Sequence, residues 1–242
     1  MALYTISDLH LSTLSSTNKS MEVFGSRWDD YINRIETNWR RLITDDDTVV
    51  IPGDISWGLS IDEATSDLLF IDSLPGKKIL GKGNHDFWWS TMKKHSEHFE
   101  KCGITSISFL FNNAHEIDDF IVAGTRGWFF DEKTARLPNK TDFEKMKARE
   151  ELRLEASLKA ARELSEASGK EIVVFMHFPP VYNEDVASGL IDILKRYGVT
   201  RLYYGHIHGN YTLPDKIYYE GIEMNIVSAD YLAFIPKIVY KR

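Results

Sequence analysis

Residues 77–89, KKILGKGNHDFWW, contain the pattern that decides the fold. The run from Lys77 to Leu80 is a short apolar segment of the kind that forms a buried strand. Gly83 to Asp86, which read Gly-Asn-His-Asp, follow it closely and offer metal-ligand and acid-base side chains. A four-residue string of these types arises by chance in about one chain in a thousand of this length. The combination predicts a strand that is followed, at its carboxyl end, by metal-binding and acid-base side chains.

The same alternation of short apolar runs and longer helical patterns continues along the chain, which favours an α/β protein with a parallel or mixed sheet. Strands are predicted over residues 2–7, 48–52, 77–80, 120–123, 171–176, 201–204, 216–220, 223–228 and 234–240. Helices are predicted over residues 29–43, 61–72, 88–101, 141–168 and 186–197. Because the sequence contains no linker, repeat or low-complexity segment, we expect residues 1–242 to form a single domain.

The composition is that of an ordinary globular protein of 242 residues, with 43% apolar and 27% charged residues. The single cysteine, Cys102, excludes an intramolecular disulfide. No basic, apolar leader pattern stands at the N-terminus, and no run approaches the roughly 18 apolar residues of a membrane span. We therefore expect a cytoplasmic protein without membrane contact. The formal charge of -7 weighs against long nucleic acid as a partner.

Side chains able to bind metals follow most of the predicted strands. They are Asp8, His10, Asp54, Asn84, His177, His206 and His208. Since the carboxyl ends of strands in open α/β sheets face a common crevice, we expect these side chains to converge. The nitrogen and oxygen ligands suit Mn, Fe, Zn or Co, and seven are too many for one ion. They suit two ions about 3.5–4 Å apart that share a bridging carboxylate.

Glycines stand directly before several of these candidate ligands, at Gly53, Gly83 and Gly205. At such positions we expect a tight turn or a close backbone approach that leaves no room for a Cβ atom.

In the segments that contain these candidate ligands, the chain resembles the calcineurin-like metallophosphoesterase superfamily. The ordered motifs of that superfamily are D-x-H, G-D, G-N-H-[DE], H and G-H-x-H. All five motifs stand between residues 8 and 208. The resemblance implies a four-layer αββα sandwich, in which two facing mixed sheets are flanked by helices. It also implies that one ion takes Asp8, His10, Asp54 and His208, while the second takes Asp54, Asn84, His177 and His206. Asp54 would bridge the two ions.

The activity implied by the resemblance is dinuclear-metal-dependent hydrolysis of a small phosphomonoester or phosphodiester, by direct attack of a metal-bridging hydroxide. His85 is then expected to protonate the leaving oxygen or to stabilise charge in the transition state, with Asp86 orienting and charging its imidazole. Two divalent ions held by two carboxylates leave about two positive charges, which would attract a phosphate into an acidic protein.

Aromatic residues near the strand ends are candidate substrate contacts. Trp57, Trp88 and Trp128 either pack beneath the site or form an apolar wall that stacks on a base or an aromatic leaving group. Trp57 also stands where many members of the superfamily carry Asp or Tyr, which argues against a tyrosine-ligated ferric site. Arg126 could clamp a phosphate oxygen or form an ordinary salt bridge. The segment 11–28 is long enough to be a flap over the site.

Two alternatives remain open on the sequence. One is a phosphodiesterase specialised for nucleotides, and the other is a non-catalytic interaction scaffold on the same fold. A scaffold would be expected to lose ligands, whereas this chain carries all of those implied by the motifs.

Overall fold

The structure, a computed structural model, describes residues 1–13, 19–128 and 140–241. The strands are β1 (Ala2–Thr5), β2 (Thr48–Ile51), β3 (Lys77–Leu80), β4 (Ile107–Phe109), β5 (His115–Ile117), β6 (Phe120–Thr125), β7 (Glu171–Met176), β8 (Val181–Tyr182), β9 (Asp185–Val186), β10 (Arg201–Tyr204), β11 (Lys216–Tyr219), β12 (Ile222–Ile226) and β13 (Lys237–Lys241). The α-helices are α1 (Tyr31–Leu42), α2 (Ile61–Ser73), α3 (Met92–Cys102), α4 (Lys140–Ser168) and α5 (Ser188–Arg196). Short 3-10 helices span Met21–Phe24 and Ser26–Trp28.

Two mixed sheets form the centre of the fold. The first has the order β13-β1-β2-β3-β4 and the second the order β11-β12-β10-β7-β6-β5, while β8 and β9 form a small separate hairpin. Within each large sheet the inner strands are parallel, and antiparallel partners close the edge at β13 in the first sheet and at β5 and β11 in the second. The parallel strands therefore send their carboxyl ends toward one edge of each sheet.

Three apolar layers hold the sheets and helices together. Val50, on β2, faces the second sheet and shares a core with Phe175 and Tyr203, whose rings stack 5.3 Å apart. Its neighbours Val49 and Ile51 face the opposite way, into the core that β1–β3 share with α1, α2 and α3. A third core lies between the second sheet and helices α4 and α5. Strands β1 and β2 are buried along their whole length, which fits their largely apolar sequences.

This arrangement confirms the expected fold class, two mixed sheets flanked by helices. The two sheets meet near the carboxyl ends of β1 and β12, where the backbone of Ser7 pairs with residues 227–229. The Ser7 N–H donates to the Val227 carbonyl at 2.8 Å, and the Ala229 N–H donates to the Ser7 carbonyl at 2.8 Å. No helix in the described ranges is both long and apolar enough to cross a membrane.

Two element boundaries differ from the sequence-based expectation for clear reasons. Helix α3 begins at Met92 rather than residue 88, because the Thr91 side chain caps it by accepting a hydrogen bond from the Lys94 N–H. The last strand begins at Lys237 rather than residue 234, because Phe234 adopts a left-handed backbone, with φ 63°, and Pro236 lacks an N–H for the ladder. The short strands β4, β5, β8 and β9 were not predicted.

A pair of leucines on α4 tests the layered packing. Leu158 is fully buried against the second sheet, whereas Leu152 on the same helix is 68% exposed. Leu158→Ala is expected to lower the free energy of unfolding by about 2–5 kcal/mol, because it opens a cavity in a packed core. Leu152→Ala is expected to change it by less than about 0.5 kcal/mol. Urea denaturation of both variants measures the difference, and equal effects would contradict the packing of α4 described above.

Candidate metal centre

The candidate ligands lie just beyond the carboxyl ends of three neighbouring strands in the first sheet and two neighbouring strands in the second. In the first sheet, Asp8 and His10 follow β1, Asp54 follows β2 and Asn84 follows β3. In the second sheet, His177 follows β7, and His206 and His208 follow β10. Because the sheets meet between β1 and β12, both sets of ligands lie at one shared edge.

The backbone at this edge is strained. Four of the candidate ligands adopt the left-handed conformation, with φ values of 61° at Asp8, 44° at His10, 51° at Asp54 and 69° at His206. For a residue with a Cβ atom this conformation costs about 1–2 kcal/mol. Such strain is typical of functional sites, where the surrounding structure holds side chains in positions that the free chain would avoid.

Glycines make the close approach of these loops possible. A Cβ atom on Gly83 would overlap the Asp54 carboxylate, and one on Gly205 would overlap the Asp8 carboxylate. At Gly53 the added atom would lie 2.5 Å from the Gly83 nitrogen, and the backbone there has φ 147°. At each of these three glycines, atoms of the ligand loops therefore occupy the place that a Cβ atom would need.

The first group of converging side chains consists of Asp8, His10 and His208. The Nε2 atoms of His10 and His208 face each other at 3.3 Å, and His208 Nε2 lies 3.3 Å from Asp8 Oδ1. Two nitrogens bound to one tetrahedral ion at about 2.0–2.1 Å are themselves about 3.3 Å apart. The spacing therefore fits an ion between these side chains.

The second group consists of Asp8, Asp54 and His177. His177 Nε2 lies 3.4 Å from Asp54 Oδ2 and 2.7 Å from Asn84 Oδ1, which brings the amide into the same cluster. The same Asp54 oxygen lies 3.6 Å from His10 Nε2, so it faces one histidine of each group. This position fits the bridging role expected of Asp54. The His206 ring lies 5.1 Å from the His177 ring, measured between centroids.

The protonation states of most of these residues fit a site for cations. Burial lowers the pKa of His10 to about 3 and that of His206 to about 4, and it lowers the pKa of His177 well below its usual range. These imidazoles are neutral at pH 7, which is the form that binds metals. Burial opposes the charge of Asp8, but neighbouring histidines, His208 first among them, hold its pKa well below the usual range.

The pKa values of Asp54 and His208 are the exceptions, because no cation balances the negative charge of the carboxylates around them. Burial, and then the carboxylates of Asp86 and Asp8, raise the pKa of Asp54 well above its usual range. Burial opposes the charge of His208, but Asp8 and Asp230 outweigh it and raise the pKa of His208 to about 10. Bound cations would reverse both effects, because they attract carboxylates and displace a proton from imidazole. The donor set therefore fits metal ions.

Asp230 is a site residue that the sequence analysis missed. Its fully buried carboxylate accepts hydrogen bonds from His208 Nδ1 at 2.8 Å, the Gly209 N–H at 3.0 Å and the Tyr211 hydroxyl at 3.0 Å. A carboxylate on the far nitrogen of a ligand histidine fixes the orientation of the ring. Asp230 follows β12, which is parallel to β10, so the strand-end rule applied to the predicted strand 223–228 would have found it.

Asp86 has a different role from the one expected. Its carboxylate accepts backbone hydrogen bonds from Gly83, Asp54, Ile55 and Ser56 and a fifth, at 2.9 Å, from the Trp88 indole N–H. Burial raises the pKa of Asp86, but all five partners are donors and so favour its anionic form, and within the described residues it makes no ion pair with His85. The expectation that Asp86 orients and charges the His85 imidazole is wrong, because both carboxylate oxygens are engaged by the loops.

His85 lies at the edge of the cluster, half-buried. Its backbone N–H donates to Asp54 Oδ1 at 2.7 Å, and its ring lies 4.7 Å from the Trp57 ring and 5.5 Å from the His10 ring. The imidazole lines a cavity of about 380 Å³ that also reaches His10 and His208. His85 is thus placed beside the candidate centre rather than within it.

The candidate substrate contacts divide into two kinds. Trp57 lines the same cavity, and its ring stacks on His10 with centroids 4.8 Å apart. Trp88 is only 2% exposed and donates to Asp86, so its assignment as a substrate contact is wrong and it packs beneath the site.

Trp128 is also buried, with the Arg126 guanidinium 4.5 Å from its ring. Arg126 forms a salt bridge to buried Glu150 at 3.1 Å, which is the second of the two roles considered for it.

The proposed flap over residues 11–28 is described only in part, because residues 14–18 lie outside the described ranges. Its carboxyl-terminal part is attached to the site. Arg27 Nε donates to the Asp230 carbonyl at 2.8 Å, and the Trp28 ring lies 5.8 Å from the His208 ring.

Comparison with known proteins agrees with this fold and site. The family model for calcineurin-like phosphoesterases matches residues 1–210. The chain therefore belongs to the calcineurin-like phosphoesterase family, whose members are generally hydrolytic and metal-dependent. No protein with a curated function matched the sequence.

Solved structures share the fold at low sequence identity. The protein TT1561 of Thermus thermophilus superposes with a TM-score of 0.55 and 9% identity, covering 99% of this chain and 98% of that one. A protein of unknown function from Aquifex aeolicus, AQ665, matches with a TM-score of 0.43 and 18% identity, covering 98% of this chain and 95% of that one. Sequence identities this low show a shared fold alone. The shared fold is supported by the superposition on TT1561, whose TM-score is above 0.5.

The hydrogen bonds of Asp86 predict a large effect from a small substitution. Asp86→Asn keeps the size of the side chain but turns an N–H₂ group toward buried backbone donors, which should lower the free energy of unfolding by at least about 1–3 kcal/mol. Asp46→Asn, at an exposed position, is the matched control and should change it by less than about 0.5 kcal/mol. Thermal or urea unfolding of the metal-free proteins checks both values. A stable Asp86→Asn variant would contradict the role of this carboxylate.

Metal uptake should release protons at neutral pH. With its pKa raised to about 10, His208 is protonated at pH 7 in the metal-free protein and must lose that proton to bind an ion. Apparent affinity for Mn²⁺ should therefore rise with pH between about 6.5 and 8.5. Calorimetric titration at pH 7 in buffers of different ionisation enthalpy should show release of at least one proton. Asp230→Asn, which removes one of the carboxylates that raise this pKa, should reduce the release, and proton uptake would contradict the assignment.

Proposed function

We propose that this chain hydrolyses a small phosphomonoester or phosphodiester at a centre of two metal ions, drawn from Mn, Fe, Zn and Co. The observation that carries the proposal is the convergence of two Asp/His groups, which share Asp8, at one edge of the two sheets. The ions would be held by Asp8, His10, Asp54, Asn84, His177, His206 and His208. When bound, they would supply positive charge to the phosphoryl oxygens and make a water molecule acidic enough to attack at neutral pH.

The residues around the ions are arranged so that little has to move. Asp8 is held by the His206 N–H, which donates to both of its carboxylate oxygens at 3.0 and 2.9 Å. Asp54 is held by the His85 N–H, and His208 by Asp230. Ligands fixed in this way lose little conformational freedom on binding, which favours metal retention and a constant position for the bound phosphate.

His85 supports departure of the alcohol. Its imidazole faces the cavity beside His10 and His208, where a group leaving the phosphorus would lie. Burial lowers the pKa of His85, so the ring is neutral near pH 7. A neutral imidazole donates a hydrogen bond to the oxygen on which charge develops, and this favours charge stabilisation over full proton transfer as its role.

Charge and composition favour a small substrate over a polymer. The chain carries a formal charge of -7, so attraction for an anion depends on the bound ions and is local. The proposal of a single domain over residues 1–242 is supported by the core that both sheets share. A cytoplasmic location remains a prediction from the composition.

Two substitutions at the centre should separate metal binding from turnover. His85→Ala should retain both ions and lose about 10²–10⁴ of turnover, because it removes a donor to the leaving oxygen. Asp54→Ala should lose metal, because it removes the carboxylate that faces both groups. Metal content and hydrolysis of nitrophenyl phosphate and bis-nitrophenyl phosphate measure these effects, with His115→Ala in β5 as a distant control.

Normal turnover by His85→Ala would refute its role, and full metal content in Asp54→Ala would refute the bridging assignment. A wild-type protein that binds no metal and hydrolyses neither ester would support the scaffold alternative.

A further inference from the structure

The cavity beside His85 is lined mainly by aromatic side chains, which the binding of a phosphate group does not require. Its volume is about 380 Å³, which lies within the range of small-molecule sites. On one side it is bounded by His10, His85 and His208 of the candidate centre. The remaining walls are mostly aromatic, formed by Phe24, Trp28, Trp57 and Tyr211.

These rings are held in place by the fold. The Trp57 backbone N–H donates to the Leu11 carbonyl at 3.0 Å, while its ring stacks on His10. Trp28 is 3% exposed and packs edge-on against Phe234, with centroids 5.2 Å apart. The Tyr211 hydroxyl donates to Asp230. The cavity is therefore a preformed aromatic surface connected to the candidate metal site.

Phe24 is the wall residue that the fold does not explain. It is 69% exposed, and it borders both this cavity and a neighbouring one of about 340 Å³. A large apolar side chain that is exposed beside a reaction site, in a row of other aromatic residues, marks a surface for an apolar ligand.

We propose that the group expelled from phosphorus is an alcohol that carries a neutral, planar aromatic ring, such as a nucleoside or an arylalkyl alcohol, and that this ring binds in the cavity. The inference rests on the proposed hydrolysis at the same site. In the reaction, a water oxygen forms a bond to phosphorus and the bond from phosphorus to the aromatic alcohol breaks. The leaving oxygen keeps the electron pair and takes up a proton equivalent to the one that the attacking water loses, so that ester and water give alcohol and phosphate.

The charges at the rim select against a cationic leaving group. The Lys19 ammonium lies 5.2 Å from the centre of the Trp57 ring, and the Arg27 guanidinium lies 4.8 Å from the centre of the Tyr211 ring. An aromatic cage that binds quaternary ammonium groups needs those ring faces free of other cations. Here two cations already lie over those faces, so a cationic group would be repelled, whereas a neutral ring can pack against the edges of these rings and against the exposed ring of Phe24.

Esters with matched leaving groups test the inference. 2-Phenylethyl phosphate and 2-cyclohexylethyl phosphate release primary alcohols of similar acidity, so a difference between them reports binding rather than leaving-group acidity. Choline phosphate releases a more acidic alcohol, so a lower rate for it would report exclusion of the cation despite the better leaving group. For the manganese-loaded protein, kcat/KM for the phenylethyl ester should exceed that for each of the others by about tenfold, as expected for one stacked ring. The methyl diesters of the same alcohols should give the same order.

Two exposed phenylalanines provide the matched variants. Phe24→Ala removes a wall of the cavity without touching a candidate ligand, and it should reduce the preference for the phenylethyl ester several-fold. Phe87 is 60% exposed and lies near His85, with ring centroids 6.3 Å apart, but it does not line the cavity. Phe87→Ala should leave both the activity and the preference unchanged.

A binding measurement separates failure of the inference from failure of the proposed function. 2-Phenylethylphosphonate and 2-cyclohexylethylphosphonate cannot be hydrolysed, and calorimetry should show tighter binding of the phenyl compound that Phe24→Ala weakens. If no ester is hydrolysed, the proposed function is refuted, while the phosphonates still decide the inference. Equal binding of the two phosphonates, a preference for choline phosphate, or a preference that Phe24→Ala leaves intact would overturn the inference.

Discussion

The carboxylate of Asp86 joins the loop after β2 to the loop after β3, and the candidate centre depends on that connection. It accepts hydrogen bonds from backbone N–H groups in both loops, at Asp54, Ile55 and Ser56 on one side and Gly83 on the other. Beyond the strand ends these buried donors have no ladder partner, and leaving them unpaired would be costly. One buried anion supplies the acceptors, and it fixes Asp54 relative to Asn84.

A similar connection crosses between the sheets. Asp8, at the end of β1, accepts the N–H of His206 at the end of β10, so a residue of each sheet is held against the other. The consequence is a concentration of negative charge, since Asp8, Asp54 and Asp86 are all nearly inaccessible to solvent. Without cations this charge is unfavourable, as the raised pKa of Asp54 indicates. The same carboxylates that organise the loops therefore make cation binding favourable.

Much of this arrangement was predictable because it follows from chain direction. Parallel strands place their carboxyl ends together, so residues following each apolar run could be assigned to one site, and Asp230 could have been found in the same way. The partners of Asp86 could not, because a hydrogen bond between two loops leaves no periodic signal in sequence. The same limit applies to Trp88 and Trp57. Both stand near strand ends, but only their packing shows that one supports the loops and the other lines the cavity.

The two flanks of the centre differ in a way that bears on substrate recognition. Toward the second sheet, Arg126 pairs with the buried carboxylate of Glu150, which Arg153 also contacts, and its guanidinium lies 4.5 Å from the Trp128 ring. On the side of His10 and His208, aromatic side chains border open space. A phosphoester bound as proposed would therefore have an apolar cavity beside it on the side of His10 and His208. Under the proposed function, discrimination among substrates would depend on the group that enters that cavity, because phosphate is common to all of them.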